Sequence, residues 1–107
     1  MMKDKTYILN SISELGRRIM PDGGHVWLYG SQARGDARKN SDWDLLLLLD
    51  KPTQEWEDYD RYVYPFTQLG FDIGAPINPV LYTKQEWNKR HFTPFHHNVE
   101  NEKILIV

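Results

Sequence analysis

The sequence predicts an α/β (α+β) fold, a small mixed β-sheet packed with helices, and three observations carry that prediction. Segments with apolar residues at three- and four-residue spacing alternate along the chain with short β-prone runs. Clusters of Pro, Gly, Asn and Asp separate them. The 107 residues, 40% hydrophobic with 4 Trp, 6 Tyr and 4 Phe, suffice for one core and leave no room for a second lobe, so residues 1–107 read as a single domain.

Residues 4–20 place Ile8, Ile12, Leu15 and Ile19 on one helical stripe, and Pro21-Asp22-Gly23-Gly24 then ends the helix. His25 to Tyr29 is a short β-prone run ending at Gly30-Ser31, and Asp42 to Leu49 (DWDLLLLL) is a second one, expected to be central. Between them SQARGDARKNS is polar and interrupted by Gly35, enough for a short helix and a turn. Thr53 to Gly70 carries Trp56, Tyr59, Val63, Phe66 and Leu69 at helical steps, which predicts a second long helix kinked at Pro65. Ala75 to Tyr82 reads as a third strand, placed at an edge or made irregular by Pro76 and Pro79. Thr83-Lys84-Gln85-Glu86 fits a capping box, so a helix starts there. Ile104 to Val107 reads as a final strand.

Composition narrows the function. A formal charge of −2 gives no overall basic field, which argues against direct nucleic-acid binding through phosphate neutralisation. The absence of cysteine excludes disulfide frameworks, Cys-based zinc sites and thiol nucleophiles. Neither a signal peptide nor a membrane span is legible, so a cytoplasmic location with no membrane partner is expected. His91, His96 and His97 lack a clear fourth ligand in what reads as an aromatic-rich loop, which argues against zinc.

The chemistry lies between Leu28 and Leu48. Asp42 and Asp44 are two apart on a strand, so they share a face with their Cα atoms about 7 Å apart. Two carboxylates so placed repel unless a cation lies between them, and Mg²⁺ is a hard, oxygen-seeking match. Upstream, Gly30-Ser31 closes a strand and opens a helix, which offers unpaired N–H groups to an anion, with Arg34 close by. A phosphate site some ten residues before a carboxylate pair suits a metal–triphosphate. Trp43 alternates to the opposite face and is expected beneath a helix. Gly35 and Ser41 shape the loop that delivers Asp42, while Arg38 and Lys39 read as solvated.

Gly30-Ser31-Gln32-Ala33-Arg34-Gly35 followed by Ser41-Asp42-Trp43-Asp44-Leu45 resembles the signature of the DNA polymerase β-type nucleotidyltransferase superfamily, with eight fixed positions over 16 residues. The size is similar to that of its minimal nucleotidyltransferases. The resemblance implies a nucleotidyltransferase fold and transfer of NMP from ATP or another NTP to a hydroxyl. It implies that Gly30, Ser31, Arg34 and Ser41 bind the nucleotide and that Asp42 and Asp44 are catalytic and bind two Mg²⁺ ions. Some members modify a helical partner protein and act as antitoxins, so a protein side chain is an implied acceptor and a toxin-like protein an implied partner.

The chain departs from the family pattern at one point. Active members carry a third carboxylate on the next core strand, and that segment here reads Ile77-Asn78-Pro79-Val80-Leu81-Tyr82. Asn78 offers only a neutral oxygen, and Asp72 is the nearest acid in sequence. Either is a candidate third ligand. The alternative to a transferase is a catalytically impaired module of the same fold that binds a nucleotide or a protein.

Overall fold

The computed structural model describes residues 4–107, so the first three residues of the expected domain lie outside the described residues. A four-stranded mixed sheet, in the order β3-β2-β1-β4, is covered by helices on both faces.

Helix α1 (Lys5–Ile19) is capped by Asp4, whose carboxylate accepts the Tyr7 N–H at 2.8 Å, and it buries Ile8, Ile12 and Leu15 along the expected stripe. Strands β1 (His25–Tyr29) and β2 (Trp43–Leu49) pair antiparallel, with Tyr29 opposite Asp44. The pairing is antiparallel although α2 (Ser31–Arg34) intervenes, because that helix is only four residues long and the chain doubles straight back. All five leucines of β2, Leu45 to Leu49, are buried, as befits an interior strand packed on both faces. Each contributes about 1.5–3 kcal/mol by leaving water.

The segment expected to be helical from Thr53 begins its helix later. A widened π turn (Tyr59–Val63) leads into α3 (Tyr64–Ile73), and Trp56, counted towards the apolar stripe, is 90% exposed. Helical backbone runs unbroken through Val63 and Tyr64 into α3, so Pro65, which has no N–H to donate, sits inside a continuous helix, and the disturbance expected there takes the form of the widened turn just before it. The loop ahead of that turn is held by Asp58, which is fully buried and accepts from Lys51 Nζ (2.9 Å) and the Glu55 N–H (2.6 Å).

Burial pushes the Asp58 carboxyl up, but those hydrogen bonds outweigh it and hold the group below the usual range. Stability from this group is therefore present above the unfolded carboxylate value and is lost as pH falls through the lower folded value. Asp58→Asn is expected to cost about 1.5–3 kcal/mol at neutral pH and to flatten part of the acid limb below about pH 4. Denaturant unfolding of both proteins at pH 7 and pH 3 checks it, and an equal gap at the two pH values contradicts it.

Strand β3 (Ile77–Thr83) runs parallel to β2 at the sheet edge, where Pro79 requires no ladder hydrogen bond on its outer side. It starts two residues later than Ala75 and ends at Thr83, whose hydroxyl accepts the Glu86 N–H while Glu86 accepts the Thr83 N–H, the expected capping box at the start of α4 (Lys84–Lys89). The histidine-containing stretch, read as a loop, is in part a helix, α5 (Pro94–Glu102), capped by Thr93 and opened by Pro94. The last strand, β4 (Ile104–Leu105), is shorter than expected and pairs with β1.

Helices α1 and α3 cover one face of the sheet, over Val26, Leu28, Trp43, Leu45, Leu47 and Leu81. Helices α4 and α5 cover the other through Trp87 and Val99, which pack on Tyr29, Leu46 and Leu48. Trp43 lies beneath helices on the face away from Asp44, as its alternation requires. No helix among the described residues is long and apolar enough to cross a membrane.

Candidate active site

Antiparallel pairing of β1 with β2 and parallel pairing of β2 with β3 bring three chain segments to one end of the sheet. The last residue of β1, the start of β2 and the start of β3 meet there. Gly30-Ser31 follows Tyr29 at that end, Asp42 and Asp44 enter β2 beside it, and Asn78 stands next to Asp44 in the parallel register.

Gly30 is demanded twice. Its φ of +78° is a region that side-chain-bearing residues rarely adopt, and a β-carbon there would overlap the Asp44 carboxylate. The glycine thus lets the backbone lie directly against Asp44. Its own N–H is committed to Glu102 Oε1 at 2.9 Å. The N–H groups of Ser31 and Gln32, in the first turn of α2, have no carbonyl four residues back within the helix and are the donors left for an anion. A four-residue helix has little macrodipole, so attraction here rests on these local N–H groups and the Ser31 hydroxyl rather than on the helix as a whole.

Asp44 is partly buried. Burial raises its carboxyl above the usual range, the hydrogen bond from Asn78 opposes this, and repulsion from Asp42 and Glu102 adds to the rise. The pair therefore stands close enough to interact, and a cation between them would relieve both burial and repulsion. Asn78 donates Nδ2 to Asp44 Oδ1 at 3.2 Å. Two carboxylates plus an amide fit Mg²⁺, which takes one or two protein carboxylates and fills its remaining positions with water and phosphate. Among the described residues no group of three His, Cys, Asp or Glu side chains is set to hold a metal.

The two candidates for the third ligand are separated cleanly. Asn78 is beside Asp44, whereas Asp72 lies on α3, bonded to Gln68 Nε2 at 3.0 Å, and α3 packs on the opposite face of the sheet. Arg34 stands at the site with carboxylate partners already in place, Nη1 on Glu102 at 2.9 Å and Nε on Asp36 at 3.2 Å. Ser41 shapes the loop: its hydroxyl accepts the Arg38 N–H at 2.8 Å and its carbonyl accepts Gln32 Nε2 at 3.3 Å. The three histidines find separate partners, His91 at the Asn88 carbonyl, His96 against the Trp87 ring and His97 at Asn101.

Two residues enter the site unannounced by the motif. Tyr29 is pushed up to about 12 by burial first and then by Asp44, Tyr82 and Glu102, so it keeps its proton throughout the working pH range. Glu102 comes from the end of α5, 72 residues from Gly30. A cleft of about 450 Å³ opens beside them, lined by Tyr29, Gly30, Arg34, Phe95, Asn98 and Glu102 among others.

A family model described as a nucleotidyltransferase domain matches residues 7–105. A curated relative from Methanocaldococcus jannaschii, provisionally named a protein adenylyltransferase, is 35% identical over 77 residues, 72% of this chain and 71% of the relative. Two solved structures share the fold. A toxin–antitoxin with AMP-PNP superposes with a TM-score of 0.64 at 19% identity, over 92% of this chain and 72% of that one. An Asp-to-Glu double mutant of the toxin–antitoxin MntA–HpeT gives 0.62 at 16% identity, over 92% and 71%.

Proposed function

The chain belongs to the nucleotidyltransferase domain family, and on that premise we propose that it binds ATP or another nucleoside triphosphate with Mg²⁺ and transfers the NMP to a hydroxyl of another macromolecule. One observation carries the reading: the Asp44 carboxylate lies directly against Gly30, with Asp42 near enough to repel it, at the turn whose Ser31 and Gln32 N–H groups have no carbonyl partner within α2.

Bound Mg²⁺ supplies charge neutralisation at the transferring phosphate. Asp42 and Asp44 would hold the ion that accompanies the nucleotide. The Ser31 hydroxyl and the Ser31 and Gln32 N–H groups orient the triphosphate, while Gly30 lets it approach. The acceptor oxygen bonds to the α-phosphorus as the bond to the bridging α–β oxygen breaks, and pyrophosphate leaves with that electron pair. Asn78, where an acid would take the acceptor proton, is no base, so the proton passes to solvent or to a base that arrives with the acceptor. For the two-metal form of the reaction, Asn78 would offer an acceptor-side ion only a neutral oxygen, a weaker ligand than a carboxylate.

A protein side chain is the acceptor we favour, presented by a helical, toxin-like partner in the cytoplasm. The name of the archaeal relative supports the protein acceptor, and the toxin–antitoxin neighbours support a toxin-like partner. Asn78 beside Asp44 favours a second reading, a nucleotide-binding module that has lost efficient transfer.

Incubation with α-labelled ATP and Mg²⁺, with and without cell extract, is expected to label a macromolecule. ATP bound without label transferred moves the assignment to the binding module. Absence of both label and binding overturns either reading.

A further inference from the structure

Glu102 puts a carboxylate where anionic ligands are expected. Its Oε1 accepts the Gly30 N–H and its Oε2 the Arg34 guanidinium, each at 2.9 Å, and its side chain is 17% exposed. Such a group either plugs the site and must leave, or braces the loop that forms it. Two features favour the brace.

The first is rigidity on both sides. Val99, three residues earlier, is buried in the cluster with Trp87 and accepts the Lys103 N–H from its carbonyl at 2.8 Å. Ile104, two residues later, pairs with Leu28 of β1. The backbone that carries Glu102 is thus held between a buried helical residue and a paired strand residue, which keeps its carboxylate within reach of Gly30 and Arg34, and the two hydrogen bonds hold it there.

The second is which donors it takes. Glu102 claims the Gly30 N–H and one end of Arg34, and leaves the Ser31 and Gln32 N–H groups open. Gly30 is pinned from two directions, its amide on Glu102 and its α-carbon against the Asp44 carboxylate. The position of α5 is thereby linked to the carboxylate on β2 and to the direction in which the next two amides point.

Resting on the nucleotide reading above, we infer that Glu102 is a positioning residue: it clamps Gly30 and Arg34 so that the Ser31-Gln32 amides and Asp44 are preorganised for a metal–triphosphate. The bridge works through the loop and makes no contact with the nucleotide.

The test is the Kd for ATP with Mg²⁺ in excess, by titration calorimetry at a temperature where thermal unfolding shows every variant folded. Glu102→Ala is expected to weaken binding about tenfold. Glu102→Gln, whose amide oxygen still accepts the Gly30 N–H, is expected to lose about threefold, and it carries the test if the alanine variant does not fold. Ser31→Ala and the double variant complete a cycle in which the combined loss is smaller than the product of the single losses.

A lower melting temperature with unchanged Kd makes Glu102 merely structural and overturns the proposal, as does a fully multiplicative cycle. Tighter binding in either variant overturns it in favour of a plug. If the wild type itself binds no Mg–ATP, the nucleotide reading falls and takes the proposal with it, whereas equal Kd values for wild type and variants overturn the positioning role alone.

Discussion

Replacing Asp42 and Asp44 together with Asn is expected to reduce nucleotidyl transfer by on the order of 10³ or more and to leave the fold at least as stable. The loss follows from the chemistry of the site. Glu102, the other carboxylate at the Gly30-Ser31 turn, is committed to the Gly30 N–H and to Arg34, so without Asp42 and Asp44 no carboxylate there would be left to hold a metal that accompanies the triphosphate.

The stability half of this expectation is less obvious. Asp44 is partly buried and feels the charges of Asp42 and Glu102, so its ionised form is disfavoured in the folded protein without metal. Removing both charges relieves that cost. Transfer of α-label in the presence of Mg²⁺, measured beside a thermal melt, checks both halves. Transfer that persists in the folded double variant sinks the metal assignment.

Asn78→Asp is expected to work in the opposite direction. Asn78 is the register partner of Asp44 and donates to it, so the substitution removes a donor and sets a third carboxylate against two others. Without metal the variant loses about 1–2 kcal/mol at neutral pH, through repulsion at the separations of neighbouring strands. With Mg²⁺ the loss is reversed, because the ion binds the folded state alone.

A carboxylate at this position can also take the acceptor proton, which is worth roughly a hundredfold in rate. The variant should therefore show a steeper Mg²⁺ dependence of both melting temperature and transfer. If neither responds to Mg²⁺ more strongly than in wild type, position 78 is not where the missing acid belongs. A large gain would show that the natural chain is a slow transferase held back at one residue.

Much of this was legible in the chain. The four-three-four stripe of α1 buries Ile8, Ile12 and Leu15 and half-buries Ile19 at its end, because an amphipathic helix beside a sheet has only one face to hide. The run Leu45–Leu49 announced an interior strand, and Pro79 an edge strand, since a missing N–H is tolerated where no neighbour needs it. Thr83 and Glu86 bond each other within four residues, so local chemistry alone set that helix start. Trp56 misled, because three- and four-residue spacing cannot tell a buried aromatic from an exposed one in a loop.

Helix α5 had a signal that apolar spacing passed over. Thr93-Pro94 is an N-cap followed by a proline at the first helical position, and the Thr93 side chain does accept the His96 N–H at 3.2 Å. Phe95 and Val99 are the only apolar residues beyond Pro94 in this helix, and His96 shares the face towards Trp87, too little to stand out as an apolar stripe.

The sequence by itself determined the family and the Gly30-Ser31 turn, and it set Asp44 in β2 with Asp42 just ahead of the strand's first residue, Trp43, since short spacing is local geometry. Tertiary structure alone decided the rest. It set Asn78 rather than Asp72 beside Asp44, because a parallel register joins residues 34 apart that no local pattern relates. It brought Glu102 onto Gly30 and Arg34 because β4 must pair with β1, which returns the end of α5 to the start of α2. The identity of each side chain is written in the chain; which carboxylates share a site is settled by packing.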